Sequence, residues 1–206
     1  MVRLDTLSLT LDAHAALSGT LAENLCYNDG KIYVCNSGQG EDNKISVVDP
    51  GKMQEDKVIT TEKNPTGIVS AAKGTIYFST NYNTYKLFKL TTANDQITEV
   101  TGLKVGNMTM MNGQLYACSF DWTSYKGSSY VLDPATDAVT ELDFNLSSVG
   151  IEMLMEYHIG QINGTDDLFL TGMGQDVVIL NPQTKEIKYA FQTGVANGNS
   201  VVAYYK

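Results

Sequence analysis

A short motif limits the architecture of this chain more than any other feature: glycine, any residue, an apolar residue, then an aromatic one. It stands at Gly30-Lys31-Ile32-Tyr33, Gly74-Thr75-Ile76-Tyr77 and Gly113-Gln114-Leu115-Tyr116, with a looser copy at Leu168-Phe169. A second motif keeps step with it. ISVVDP ends at Asp49-Pro50, YVLDP at Asp133-Pro134 and VILNP at Asn181-Pro182, while KLFKLTT carries Thr91 and Thr92 in place of the dipeptide. A β-branched run follows each copy: KVITT, QITEV, AVTEL and EIKYA. Val, Ile, Tyr, Thr and Phe fill these runs, and Asp-Gly, Lys-Gly, Asn-Gly and Asn-Pro interrupt them. No stretch sustains the 3.6-residue apolar period of a helix.

By the first motif the copies lie about 39 to 53 residues apart, the blade length of a propeller. The expected fold is therefore all-β: a β-propeller of four complete four-stranded blades plus a partial fifth formed from the chain ends. It is read as a single domain over 1–206, with blades at about 21–65, 66–104, 105–149 and 150–197 and terminal strands at 3–12 and 199–206. The first blade is expected to place its strands at about 22–28, 31–36, 43–49 and 56–62. The run RLDTLSLTLD (3–12) alternates Leu7, Leu9 and Leu11 as a half-buried outer strand does. Pairing of 3–12 with NSVVAYYK (199–206) would close a small ring. The alternatives are an open arc completed by a second chain, which makes a homo-oligomer, or a piece of a longer propeller. Open strand edges invite association in either case.

Charge narrows the partners. The net charge is −9 and Arg3 is the only arginine, so the surface repels phosphates and neither nucleic acid nor anionic membranes are expected to bind. No run approaches the roughly 18 apolar residues of a membrane span, so no membrane insertion is expected. No basic segment leads into an apolar one as a signal peptide would. Cys26, Cys35 and Cys118 lack metal-ligand spacing. Cys35 and Cys118 share a second-strand position with Ser79 and Thr171, where a small residue suits blade-on-blade packing. All three are expected to be buried thiols, with Cys26 diagonal to Cys35 across the first hairpin.

Two sets of residues are candidates for binding. Asn24, Ile68 and Asn107 recur at one repeat position near the expected channel mouth, with Glu152 and Asn199 as counterparts later in the chain. They either line that mouth with hydrogen-bonding groups or satisfy backbone where each blade begins. The loops between second and third strands carry Gln39, Tyr82, Tyr85, Trp122, Tyr125 and Gln175. Aromatic rings and amides on one rim suit stacking on a flat or sugar-like ligand, unless the rings fold back onto neighbouring blades. His158 lies near Glu152 and Glu156, an acid–base composition. Its segment, IEMLMEYHIG, is expected to form the connection between the first two strands of the fourth blade, with a structural His. Asn163–Asp167 offers oxygens to calcium but lacks the remaining ligand pattern. There is no nucleotide loop, zinc-binding set or nucleophile elbow, so no catalytic residue, metal or cofactor is assigned.

ISVVDP (45–50), NPTGIV (64–69) and GTIYFST (74–80) resemble the repeat of the YVTN-type β-propellers, the bacterial surface-layer-like family. The likeness covers about 21–106 well and continues to 192, where KVGN, SSVG and ANGN replace Asn-Pro-Thr-Gly. The motif residues build the blade, so the resemblance speaks to fold rather than to chemistry. It implies an extracellular, cell-surface or periplasmic protein, and some relatives capture corrinoids. The expected function is a non-catalytic binding module that presents its loop rim to a small molecule, glycan or protein. The alternatives are a lactonase-type hydrolase or lyase using Glu152 or His158 with a divalent metal, and a scaffold joined through open blade edges.

Overall fold

A computed structural model describes residues 1–82, 84–121, 123–151, 154, 156–172 and 174–194. Across them the chain is all-β, and nearly every strand pairs with the next in sequence. β1 (Val2–Leu4) and β2 (Leu11–His14) form an N-terminal hairpin. Sheet I runs β3 (Ala22–Asn28), β4 (Lys31–Asn36), β5 (Lys44–Asp49), β6 (Gln54–Thr60), and sheet II runs β7 (Pro65–Ala72), β8 (Thr75–Tyr82), β9 (Thr84–Thr91), β10 (Gln96–Val100). Sheet III holds β11 (Asn107–Met111), β12 (Gln114–Asp121), β13 (Lys126–Asp133) and β14 (Ala138–Leu142). Sheet IV holds β15 (Glu156–Gln161), β16 (Leu168–Gly172), β17 (Asp176–Leu180) and β18 (Ile187–Gln192). All four are antiparallel four-stranded meanders.

Both repeat motifs have a local mechanical role. Asp29 (φ 45°) with Gly30 (φ 82°), and Asn112 (φ 51°) with Gly113 (φ 77°), form two-residue turns between the first two strands of sheets I and III. Positive φ at both positions is what a type I′ turn needs, and its twist matches the strands it joins. The Asp-Pro and Asn-Pro dipeptides act at the third turn. Asp49 accepts the Gly51 and Lys52 N–H groups at 2.8 and 3.0 Å, and Asp133 accepts that of Ala135 at 2.9 Å. Asn181 accepts those of Gln183 and Thr184, each at 3.0 Å. These side chains stand in for backbone partners and fold the third strand into the fourth.

The chain divides into two compact units, Met1–Leu103 and Lys104–Lys206. In the first, β3 and β4 pack against β7. Tyr33, Cys35, Ile45 and Ile59 of sheet I meet Ile68, Ile76, Phe78 and Leu90 of sheet II in one core. In the second, β15 packs against β11 and β12. Tyr116 and Cys118 of sheet III meet Ile159, Leu168, Leu170 and Val178 of sheet IV there. Successive strand residues point to opposite faces, so the aromatic of the glycine-led motif and the small residue two places on share a face. Burying each large apolar side chain contributes roughly 1.5–3 kcal/mol.

The thiols sit in these interfaces. Cys26, Cys35 and Cys118 are all buried, and the Cys35 Sγ lies 3.8 Å from the Gly67 carbonyl oxygen of the next sheet. Cys26 is directly opposite Tyr33, which leaves it diagonal to Cys35. Burial pushes the Cys26 thiol up to about 12 and raises that of Cys35 as well.

Two expectations need correction. The Leu7, Leu9, Leu11 alternation does not make one strand over 3–12. Asp5 accepts the Leu7 and Ser8 N–H groups at 3.0 and 2.7 Å, and its carbonyl accepts that of Leu9 at 2.8 Å. A side-chain-capped turn therefore forms in the middle of the run and folds it into the β1–β2 hairpin, leaving Leu7, Leu9 and Leu11 96, 77 and 60% exposed. The partner strand expected at 199–206 lies outside the described residues. The segment after β2 crosses sheet I, where Ala15 is buried with Val48 and Met53. Second, 156–161 is not a connection between strands. It is β15, the first strand of sheet IV, with His158 opposite Thr171.

Candidate binding site

The Asn-Pro-Thr-Gly stretch shows how the first unit builds its loops. Asn64 donates to the Asn81 carbonyl at 2.6 Å and its own carbonyl accepts the Asn81 N–H at 3.0 Å, while its N–H reaches the Asp42 carbonyl at 2.8 Å. One residue thus joins the β4–β5 loop of sheet I to the β8 end of sheet II. Lys63 adds a second link, pairing with Glu41 at 3.0 Å and lying 5.2 Å above the Tyr82 ring, an exposed cation–π contact. Asp42 anchors the loop from below. Burial pushes its pKa up, but the hydrogen bonds from Thr20, Asn43 and Lys44 outweigh that and hold the carboxyl below its ordinary value.

On this frame Gln39 is exposed in a left-handed conformation (φ 58°, ψ 37°) within the 3₁₀ turn Gly38–Gly40. Tyr82 is partly exposed at the end of β8, and Tyr85 is half-buried opposite Asn81. The repeated amides are taken up by the neighbouring sheet. The Asn24 Nδ2 donates to the Thr66 carbonyl at 2.9 Å, and the Asn107 Oδ1 accepts the Ile159 N–H at 3.1 Å. Each therefore ties the first strand of one sheet to the first strand of the next within its unit. Glu152, Trp122 and Asn199 lie outside the described residues.

In the second unit Asp121 organises the β12–β13 loop. Its carboxylate accepts the Thr123 and Ser124 N–H groups at 2.8 and 3.2 Å and pairs with Lys104 at 3.0 Å. The bent loop presents Tyr125 with φ 54° and 57% exposure, its ring edge-on to Phe120 at 6.3 Å. Gln175 is exposed on the β16–β17 loop, and its carbonyl accepts the Thr193 N–H at 2.9 Å.

Tyr125 borders an open cleft of about 850 Å³. Lys126 and Ser128 at the start of β13 and Glu141 and Leu142 at the end of β14 also line it. So does the connection that follows β14, through Asp143, Asn145 and Ser147. The described part of that connection is 143–151 and 154, whereas its counterparts occupy only 61–64 and 101–106. Connections between strands are mostly short, and longer ones often carry function. Phe144, Ile151 and Leu154 are buried in the core of the unit and pin it, while Asn145 (φ 47°) and Gly150 (φ 78°) bend it around the short turn Leu146–Val149. The repeat pattern does not single out these residues. The signal was the extra length between AVTEL and the fourth repeat.

The other candidates have structural partners. Asp167 pairs with Lys188 at 2.8 Å and Asp166 accepts from Asn112 at 2.8 Å, so both acidic residues of 163–167 are engaged within the unit. Burial lowers the pKa of His158. Among the described residues, no three His, Cys, Asp or Glu side chains stand together as metal ligands, and no helix is long and apolar enough to cross a membrane. No protein-family model and no curated protein matches this chain.

The two loop carboxylates give an acid-sensitive signature. The Lys31 ammonium first, then the Lys52 N–H, bring Asp49 down to about 2 from an ordinary 3.8; Lys104 first, then Thr123 and Ser124, do the same for Asp121. Between those values the unfolded chain binds more protons than the folded one, so this stability is present above pH 3.8 and lost as pH falls toward 2. Urea midpoints measured from pH 6 to pH 2 should fall in that window, and Asp49→Asn with Asp121→Asn should flatten the fall. An unchanged slope in the double variant would remove these carboxylates as its source. Both sit at the surface, so the effect is modest.

Proposed function

We propose that the chain is a non-catalytic binding module of β-propeller type, its sheets acting as blades and its loops presenting a rim to a small molecule, glycan or protein. The observation that carries this reading is the cleft beside Tyr125, walled by a connection far longer than its counterparts. The blade reading is supported by the shared plan of the two units. In each, the first strand of one sheet packs on the first strand of the next and is bridged to it by an asparagine. Exposed tyrosines and polar side chains on an ordered loop are suited to holding a ligand, since rigid scaffolds concentrate binding residues on such loops. The family resemblance of 21–106 suggests an exported or cell-surface protein.

A thermal-shift screen against a mixed library of metabolites, oligosaccharides and peptides tests the reading. Ligands that raise the wild-type midpoint are expected to lose that effect in Tyr125→Ala or Tyr82→Ala, whose own midpoints should stay near wild type because both rings are exposed. Full protection of both Tyr125→Ala and Tyr82→Ala by every such ligand would remove the rim from the function.

A further inference from the structure

The geometry points to a glycan site in the cleft of the second unit, specific for a neutral or amino oligosaccharide. This rests on the binding-module reading and names its ligand class.

A sugar ring has an apolar face of C–H groups and an equator of hydroxyls. A site that recognises it therefore needs an exposed aromatic face next to short polar side chains. The cleft supplies both. Tyr125 is 57% exposed at the edge of the cleft, and its T-shaped contact with Phe120 at 6.3 Å fixes the ring while leaving much of the residue open to a ligand. The same cleft is lined by Ser128, Glu141, Asp143 and Asn145, whose side chains carry the kinds of group that bond vicinal hydroxyls. Two of these are already oriented. Asp143 Oδ1 accepts the Asn145 N–H at 3.1 Å, and Asn145 Oδ1 accepts from Ser147 at 3.1 Å. Buried Phe144, Ile151 and Leu154 fix the connection from beneath, so the polar groups sit on a pinned loop. Ordering such a site in advance lowers the cost of binding.

Shape and charge select within the class. The cleft is open and holds about 850 Å³, toward the upper end of the roughly 300–1,000 Å³ of ligand clefts, which suits a chain of rings lying along it more than one enclosed apolar molecule. Glu141 and Asp143 line the cleft together with one lysine, Lys126, in a chain of net charge −9. Uronic and sulfated glycans are therefore disfavoured, and amino sugars gain from the carboxylates.

The test is calorimetric titration of the full chain with cellotetraose, maltotetraose, chitotetraose and its deacetylated form, and with tetragalacturonate as the anionic comparison. At least one of the first four should bind and tetragalacturonate should not. Tyr125→Ala should weaken that binding about tenfold or more, the loss of one stacking contact. Tyr125→Phe should keep most of it, and Tyr189→Ser, on the exposed outer strand β18, should change nothing. Failure of all four neutral and amino sugars, preference for tetragalacturonate, or full affinity in Tyr125→Ala would overturn the glycan assignment. The library screen separates that failure from failure of the wider reading: a non-sugar ligand lost in Tyr125→Ala leaves a binding module with another ligand.

Discussion

Asn28→Ala is expected to destabilise the first unit by about 3–5 kcal/mol. Asn28 ends β3 and is 3% exposed, yet its side chain serves the next sheet. Its Nδ2 reaches the Ser70 hydroxyl at 2.8 Å and the Ala72 and Thr75 carbonyls at 2.6 and 3.3 Å, while its Oδ1 accepts the Gly74 N–H at 3.0 Å. The amide thus holds the whole turn between β7 and β8. Alanine takes these partners from the Gly74 N–H and two carbonyls of a part-buried turn, and each group left unsatisfied costs about 1–3 kcal/mol. Asn28→Asp keeps the acceptor but sets a carboxylate against the two carbonyls, so it should do no better than alanine. Urea denaturation of the two variants measures the loss. A cost below about 1 kcal/mol for Asn28→Ala would mean that water or a shifted turn replaces the amide.

Phe78→Ala is expected to cost about 3–5 kcal/mol, through lost transfer energy and the cavity left behind. Phe78 is fully buried on β8, directly opposite Phe88 on β9, with ring centroids 5.1 Å apart and planes 15° from parallel. The stacked pair faces the Cys35 and Ile45 side of sheet I. The small Cys35 leaves room for that bulk, which explains why a large aromatic and a thiol can share the interface. Phe78→Leu should cost less, since it refills part of the volume. Val139→Ala, on the half-open surface of β14, should shift the urea midpoint little. Equal midpoints for Phe78→Ala and Val139→Ala would place the cohesion of sheets I and II elsewhere.

The strands could be read from the sequence because strand signals are local. A positive-φ dipeptide such as Asp29-Gly30, or an Asp49 side chain that caps its own turn, dictates where the chain reverses whatever surrounds it. Period-2 alternation then decides which residues share a face. The small-residue position of Cys35, Ser79, Cys118 and Thr171 was legible for the same reason, and all four are buried. Alternation without a capping test misled at 3–12, where Asp5 reverses the chain inside a run that scans as a strand. Around 151–161 the apolar run hid which part was connection and which part β15, because a buried strand and a pinned loop have the same composition.

The candidate site was legible only in part. Tyr125 and Gln175 are recognisable as loop residues of the right kind, and they are exposed. Asn24 and Asn107 recur at one repeat position, but recurrence cannot distinguish a ligand contact from a bridge to the next sheet. The Thr66 carbonyl and Ile159 N–H that hold them are about 42 and 52 residues away in the chain.

By itself, the sequence determined the all-β class, the repeated four-stranded unit and the turn chemistry that separates its strands, because those depend on interactions spanning a few residues. Only the tertiary structure decided which amides join sheets, that Ala15 after the N-terminal hairpin is buried with Val48 and Met53, and that the connection after β14 lines a cleft with Tyr125. These depend on groups brought together from distant parts of the chain, whose side chains are chosen for a neighbour that the local pattern does not name.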